Sequence, residues 1–368
     1  MNKLYKSIIN FLVIVPFPNS VFGWTSNALT LAYISVLLPI MLFLMSPRFW
    51  QMKMKLGMII IYLLIFSILI FNITSLFAIT FYLKVTFAIT AGWFLFIWNS
   101  SSSENEFVGF LRSTLYAIGV LSFLVFFIAP PEDGRLISLF DVHTSKYFFF
   151  AFVIIFTHQV LRYNRTSDYL ALGFAFLLLS LSLQRGILAT AIFFLLLAFR
   201  EKVLRKLTWM ALLLIVFFQL GLFDPLIKKL FYAVPTSGNL RDIISNINTS
   251  GRLEFWVYLW ENVKISFLGN GLGFSIDIGK TFFPGLNLVH NDFLWLLMDV
   301  GIFGIAVLTI TILYMYRSVS KQNDSTLKRV YHSLLLSIPL VMFVDNFVFH
   351  VYIYFPILFG YYKFYCNR

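Results

Sequence analysis

The sequence predicts an all-α, polytopic integral membrane protein, and three observations carry that reading. Of its 368 residues 60% are hydrophobic and 19% aromatic, against roughly 45–50% apolar in ordinary soluble domains, and the mean hydropathy is +0.86. The apolar residues are gathered into runs of about the length that a ~30 Å hydrocarbon core requires of a helix. The net charge of +12 is distributed as short Lys/Arg clusters between those runs. That is the pattern that sets membrane orientation, and it is not the continuous basic face of a nucleic-acid binder. No nucleic-acid partner is expected.

Taken in order, the runs lay out as about twelve spans, some of them short or tilted. They fall near 6–23, 28–46, 57–73, 76–98, 110–129, 147–161, 169–183, 187–199, 207–223, 291–316, 331–349 and 351–365. The first continues through Phe22 without a small-x-small cleavage site, so it reads as a retained span and not as a signal peptide. Under this layout Lys3, Lys53, Arg162, Arg200, Lys321 and their neighbours share one side, which is cytoplasmic by the positive-inside rule, as are both termini. No repeat or linker divides the chain. Residues 1–368 form one membrane domain with a large extracytoplasmic insertion at 224–290, bearing amphipathic helices, and a smaller one at 130–146. The single cysteine, Cys366, cannot form an intrachain disulfide or supply a cysteine-type zinc site.

The stretch from Ser250 to Gly304 organises the rest, because little outside it is polar enough for chemistry. Ser250-Gly251-Arg252 reads as a helix start, with Glu254 in the first turn, where a carboxylate suits the helix dipole. Leu253, Trp256, Val257, Trp260 and Val263 share one face of a helix too short to span a bilayer, so it is expected to lie at the interface. The turn Gly269 to Gly273 follows no strand. It reads as a flexible turn near a polar substrate, not as a nucleotide loop. The run from 291 to 316 is expected to be one span, with Asn291 at its start and Asp292 and Asp299 inside it.

Four arginines, Arg135, Arg185, Arg241 and Arg252, fall on the outer side, where topology does not ask for them. Each has an ordinary structural reading. Arg185 can snorkel from a hairpin between two apolar runs, Arg252 can pair with Glu254 or Glu261, and Arg135 can close a loop ion pair. His290, the one histidine of the organising stretch, can simply cap a helix. The functional alternative is a cluster. Guanidinium groups bind phosphate bidentately at any physiological pH, and several together can hold a diphosphate without a divalent metal. No Asp-rich motif lies on the outer side, so neither a metal nor another cofactor is expected.

Ser250-Gly251-Arg252, the turn Gly269 to Gly273, Val289-His290-Asn291-Asp292-Phe293-Leu294 and the closing Gly301-Ile302-Phe303-Gly304 resemble the signature of the O-antigen ligase and polymerase superfamily. Ser180 to Gly186 resembles that family's S-x-S-R-G hairpin, with Gln184 where a serine or threonine is usual, and Gly134-Arg135 resembles its earlier arginine loop. The resemblance implies a GT-C-like glycosyltransferase of the bacterial inner membrane, working at the periplasmic face on an undecaprenyl-diphosphate-linked oligosaccharide. The acceptor is the next lipid-linked repeat unit for a polymerase and lipid A–core for a ligase; polymerase is the preferred expectation. A chain-length regulator and a flippase are the expected protein partners, among membrane lipids. His290 is then expected to act as the base on a sugar hydroxyl, and Arg185, Arg252 and Arg135 to hold the diphosphate. Glu254, Asn291 and Arg241 take supporting positions. A lipid-linked sugar flippase or other transporter is the reading from a different class, and would draw on charges within the spans such as Lys84, Asp299 and Asp345.

Overall fold

The computed structural model describes residues 102–128, 142–182, 184–200, 251–283 and 289–366, with isolated positions between 88 and 100. The expected spans before residue 88, the span at 207–223, Lys84, Arg135, Arg241 and most of both insertions lie outside the described residues. Among those described, the secondary structure is helix and turn only. The helices are α1 (Glu104–Ile128), α2 (Val142–Tyr163), α3 (Thr166–Leu181), α4 (Arg185–Ala198), α5 (Arg252–Asn262), α6 (Phe274–Phe282), α7 (Asp292–Asp299), α8 (Gly301–Ser320), α9 (Ser325–Val344) and α10 (Val351–Cys366). A short 3₁₀ turn, Val348–His350, precedes α10.

Local chemistry sets several of the ends. Ser103 Oγ accepts from Glu106 N (3.2 Å) while Glu106 Oε2 accepts from Ser103 N (3.1 Å), a reciprocal pair that starts α1. Asp324 Oδ1 accepts from Thr326 N and Leu327 N at the start of α9. Asn291 caps α7 by accepting from Leu294 N at 3.0 Å. Each satisfies amides that a helix N-terminus leaves without intrahelical partners.

At the centre stands α2, buried on every side from Tyr147 to Phe156, as expected of a helix apolar all round. Around it pack α3, α4, α9 and α10, and α4 also lies along α9. The outer helices show the opposite character. Val120, Leu124, Phe127 and Ile128 on α1, Ile310 and Leu313 on α8, and Leu336 and Phe343 on α9 are exposed. In water such surface would be costly; against lipid tails it is the required one. Two described helices, α1 and α8, are long and apolar enough to cross a membrane, and α3 and α4 are shorter apolar helices.

The chain runs back and forth between two ends of this bundle. Arg162, at the end of α2, pairs with Asp324 before α9, and Tyr365 near the end of α10 donates to Glu104 at the start of α1. At the other end Lys146, in the first turns of α2, pairs with Asp345, which follows α9. The expected single span at 291–316 is corrected: it is two helices, α7 and α8, divided at Val300 and Gly301. Gly301 has φ +77°, and a Cβ there would lie 2.3 Å from Gly269 N. Only glycine allows that backbone contact.

Candidate active site

The site is assembled at the bundle end that carries Lys146 and Asp345. Helix α5 begins at Arg252, behind Gly251 in the left-handed conformation (φ 75°). Phe255 and Leu259 bury one face of α5, and Leu253, Val257 and Trp260 leave the other exposed. This divides the apolar residues in the way an interfacial helix requires, one set on protein and one on lipid. Trp256 lies between. Its Nε1 donates to Val289 O at 2.5 Å, and its ring sits 5.8 Å from that of Phe343 on α9. The half-buried Arg252 is thereby held near Asp345 and Tyr147. Burial lowers its pKa from the ordinary arginine value, and the Asp345 charge opposes that shift. Arg252 Nε is buried without a hydrogen-bond partner among the described residues.

The glycine turn is a clasp, which corrects the reading of it as flexible. Asn270 N donates to Met298 O (3.0 Å) and Gly271 N to Asp299 O (2.9 Å). The Asp299 carboxylate accepts from Gly273 N, Ser275 N and Trp295 Nε1 at 2.8–2.9 Å. Its oxygens thus cap the start of α6, where amide donors and the helix dipole both favour an anion. Asp299 ends α7 and is buried, so the clasp fixes α7, and with it His290 just upstream.

His290 adopts φ 53°, a conformation uncommon for a residue with a Cβ and one that surrounding contacts must hold. They do so through the segment after α9. His290 N donates to Asn346 Oδ1 at 3.0 Å, and the Asn346 amide nitrogen lies 3.1 Å from His290 Nδ1. Asp345 Oδ1 lies 3.6 Å from the same Nδ1 and accepts from Asn346 N at 2.9 Å. Asp292 Oδ2 accepts from Val348 N at 2.7 Å. Behind this, Tyr147 stacks on His350 with ring centroids 4.8 Å apart. Burial lowers the His290 pKa below its ordinary value; Asp345 opposes the shift and Arg252 and Lys146 add to it. Burial thus favours the neutral ring.

Of the residues singled out in the sequence, Arg252 and His290 are brought together. Arg185 is the half-buried first residue of α4, at the same bundle end, but it is not among the groups that act most strongly on His290. Asn291 is a helix cap, and Glu254 is exposed on α5. Arg135 and Arg241 lie outside the described residues. Three contributors were missed: Lys146, Asn346, and Asp345 in the setting of this site. The available signal was that Lys146 and Asp345 are isolated charges at the edges of two apolar runs, both on the predicted outer side, where a buried charge needs a partner.

Residues 169–309 match the family model described as O-antigen ligase. The matched segment runs from α3 into α8 and contains Arg185, Arg252 and His290, so over that segment the chain is similar to the O-antigen ligase family. Lys146, Asp345 and Asn346 lie outside it. No curated protein matches the chain closely enough to count as a relative.

Proposed function

We propose that this chain, similar to the O-antigen ligase family over residues 169–309, is an O-antigen polymerase. It would transfer an undecaprenyl-diphosphate-linked glycan onto a sugar hydroxyl of the next lipid-linked repeat unit. The site faces the periplasm from the inner membrane, with both termini cytoplasmic, as the Lys/Arg distribution requires. One observation carries the reading: within the matched segment, Arg252 and His290 are gathered around Asp345 next to the exposed apolar face of α5.

The chemistry follows from the charges. A guanidinium fork suits two phosphate oxygens, and partial burial strengthens its field on charge that develops as the diphosphate leaves. Lys146 is already paired with Asp345, so Arg252 is the cation best placed to meet the substrate. The sugar hydroxyl attacks the anomeric carbon as the diphosphate departs. A single displacement inverts that centre and needs neither a covalent enzyme intermediate nor a metal. Leu253, Val257 and Trp260 offer an apolar approach for a substrate arriving within the membrane.

The test supplies purified protein with undecaprenyl-diphosphate repeat units, alone or with lipid A–core. Lengthening without core is the expected result. Transfer only to core would make the protein a ligase. Movement of lipid-linked sugar across liposomes without lengthening or transfer would overturn the enzyme reading in favour of a transporter.

A further inference from the structure

The contact between His290 and Asn346 decides where the imidazole keeps its proton. One amide group faces both the backbone N–H of His290 (3.0 Å) and ring nitrogen Nδ1 (3.1 Å). A backbone N–H can only donate, so the atom opposite it is the amide oxygen. The amide NH₂ then faces Nδ1, and because an NH₂ group of this kind only donates, Nδ1 must accept. The single proton of the neutral ring therefore sits on Nε2. Nε2 has no hydrogen bond among the described residues, and the side chain is 15% exposed, so this N–H is left with its hydrogen bond to make.

We infer that Asn346 is a positioning residue that fixes His290 as an Nε2–H donor, and that His290 uses this proton to hold an oxygen of the substrate's diphosphate. This replaces the expectation that His290 draws a proton from the acceptor hydroxyl, and it rests on the reaction proposed above. The only basic nitrogen of the neutral ring is turned toward Asn346. The charged groups facing the ring are Asp345 after α9, Arg252 on α5 and Lys146 on α2. Asp345 Oδ1 lies 3.6 Å from Nδ1, longer than a hydrogen bond and longer than the 3.1 Å contact with the Asn346 amide nitrogen, so it acts on the ring chiefly by charge. Arg252 is close enough for its charge to act on the ring, and a guanidinium with an imidazole N–H is a donor set suited to an anion. The reaction balances without a protein base. The bond from the acceptor oxygen to the anomeric carbon forms, and the bond from that carbon to the diphosphate oxygen breaks. The electron pair leaves on the diphosphate, and the hydroxyl proton ends on its newly bared terminal oxygen, which has a proton affinity close to that of a phosphate monoester, pKa about 6.

The test is Asn346→Asp. One carboxylate oxygen still accepts from His290 N while the other accepts from Nδ1–H, which moves the neutral ring's proton off Nε2. Turnover of lipid-linked repeat units at pH 8 should fall about 10²-fold, the scale of one lost transition-state donor. It should recover on acidification, because the imidazolium carries both protons. A variant as active as wild type at pH 8 that loses activity in acid would overturn the inference, since that is the behaviour of an Nε2 base. Nitrogen-15 NMR of histidine-labelled, full-length wild-type protein in nanodiscs reads the tautomer without any variant. A protonated Nε2 and bare Nδ1 for His290 are expected, and the reverse would also overturn the inference, even if Asn346→Asp fails to fold. A wild-type protein with the expected tautomer but no elongation or transfer would sink the proposed reaction and leave the assignment of the proton standing.

Discussion

The two ends of the bundle hold similar groups and differ in what those groups leave open. At one end His158 Nδ1 meets Tyr361 Oη (2.7 Å), Gln159 donates to Tyr361 and Tyr365 (both 2.5 Å), and Tyr365 donates to Glu104 (2.7 Å). Arg162 pairs with Asp324, which lies 3.9 Å from His158 Nε2. At the other end stand His290, Asp345, Asn346, Lys146 and Arg252. Each end has a histidine, an aspartate and at least one cation. His158, however, lies within the regular helix α2 with its side chain fully buried, whereas His290 holds a left-handed backbone and keeps part of its ring exposed. Buried polar groups tied to one another are structural cement. A histidine in a left-handed backbone, held there by its neighbours and with its ring partly exposed, is instead the kind of strained position that collects at functional sites.

Four experiments would break or sharpen this contrast. The largest effect is expected from the ion pairs. The Lys146–Asp345 pair is 1% and 7% exposed, the Arg162–Asp324 pair 33% and 26%. Lys146→Met strands a buried carboxylate and should cost about 3–5 kcal/mol. Arg162→Met should cost no more than about 1 kcal/mol. Thermal unfolding in detergent compares them, and equal losses would erase the distinction. Next, His290→Ala should lower turnover about 10²–10³-fold with little change in unfolding. His158→Ala should do the reverse, losing about 1–3 kcal/mol from stranded hydrogen-bond partners while remaining active. Both are measured on protein of equal expression.

Arg252→Lys keeps the cation and loses the planar fork, so turnover should drop about 10²-fold; wild-type rates would make Arg252 structural. The smallest effect is in acid. The pKa of Asp324 lies below its ordinary value, because the His158 imidazole above all, then Leu327 N–H and the Arg162 charge, outweigh the opposing effect of burial. A depressed carboxylate contributes stability that is present above its unfolded pKa of about 3.9 and is lost as pH falls toward its folded value. With a partly exposed pair this contribution is about 1 kcal/mol or less. Unfolding measured from pH 5 downward should show a step in wild type that is absent from Asp324→Asn.

Much of the helical layout was legible because apolar run length is a local property. The runs at 110–129, 147–161, 169–183, 187–199, 331–349 and 351–365 correspond to α1–α4, α9 and α10. The break at Gly301 was not, since 291–316 is apolar enough to read as one run despite Asp292 and Asp299, and the interruption is forced by a backbone contact with Gly269, distant in sequence. The clasp likewise depends on Asp299 reaching back to Gly273 and Ser275. Arg252 and His290 were readable as polar residues within a recognisable stretch. Lys146 and Asp345 stand 199 residues apart, and no periodicity links them. Asn346 carried no local signal, since its role exists only where its amide meets His290.

The bond from Trp256 Nε1 to Val289 O ties α5 to the residue immediately before His290. One face of α5, with Leu253, Val257 and Trp260, is exposed and apolar, the kind of face by which an interfacial helix takes up its depth in a bilayer. The indole is therefore a mechanical coupling: raising or lowering α5 pulls on the peptide that orients the imidazole. The position of α5 thus bears on the setting of His290. A Trp256→Phe protein keeps the ring and cuts the tether, which uncouples the depth of α5 from the aim of His290.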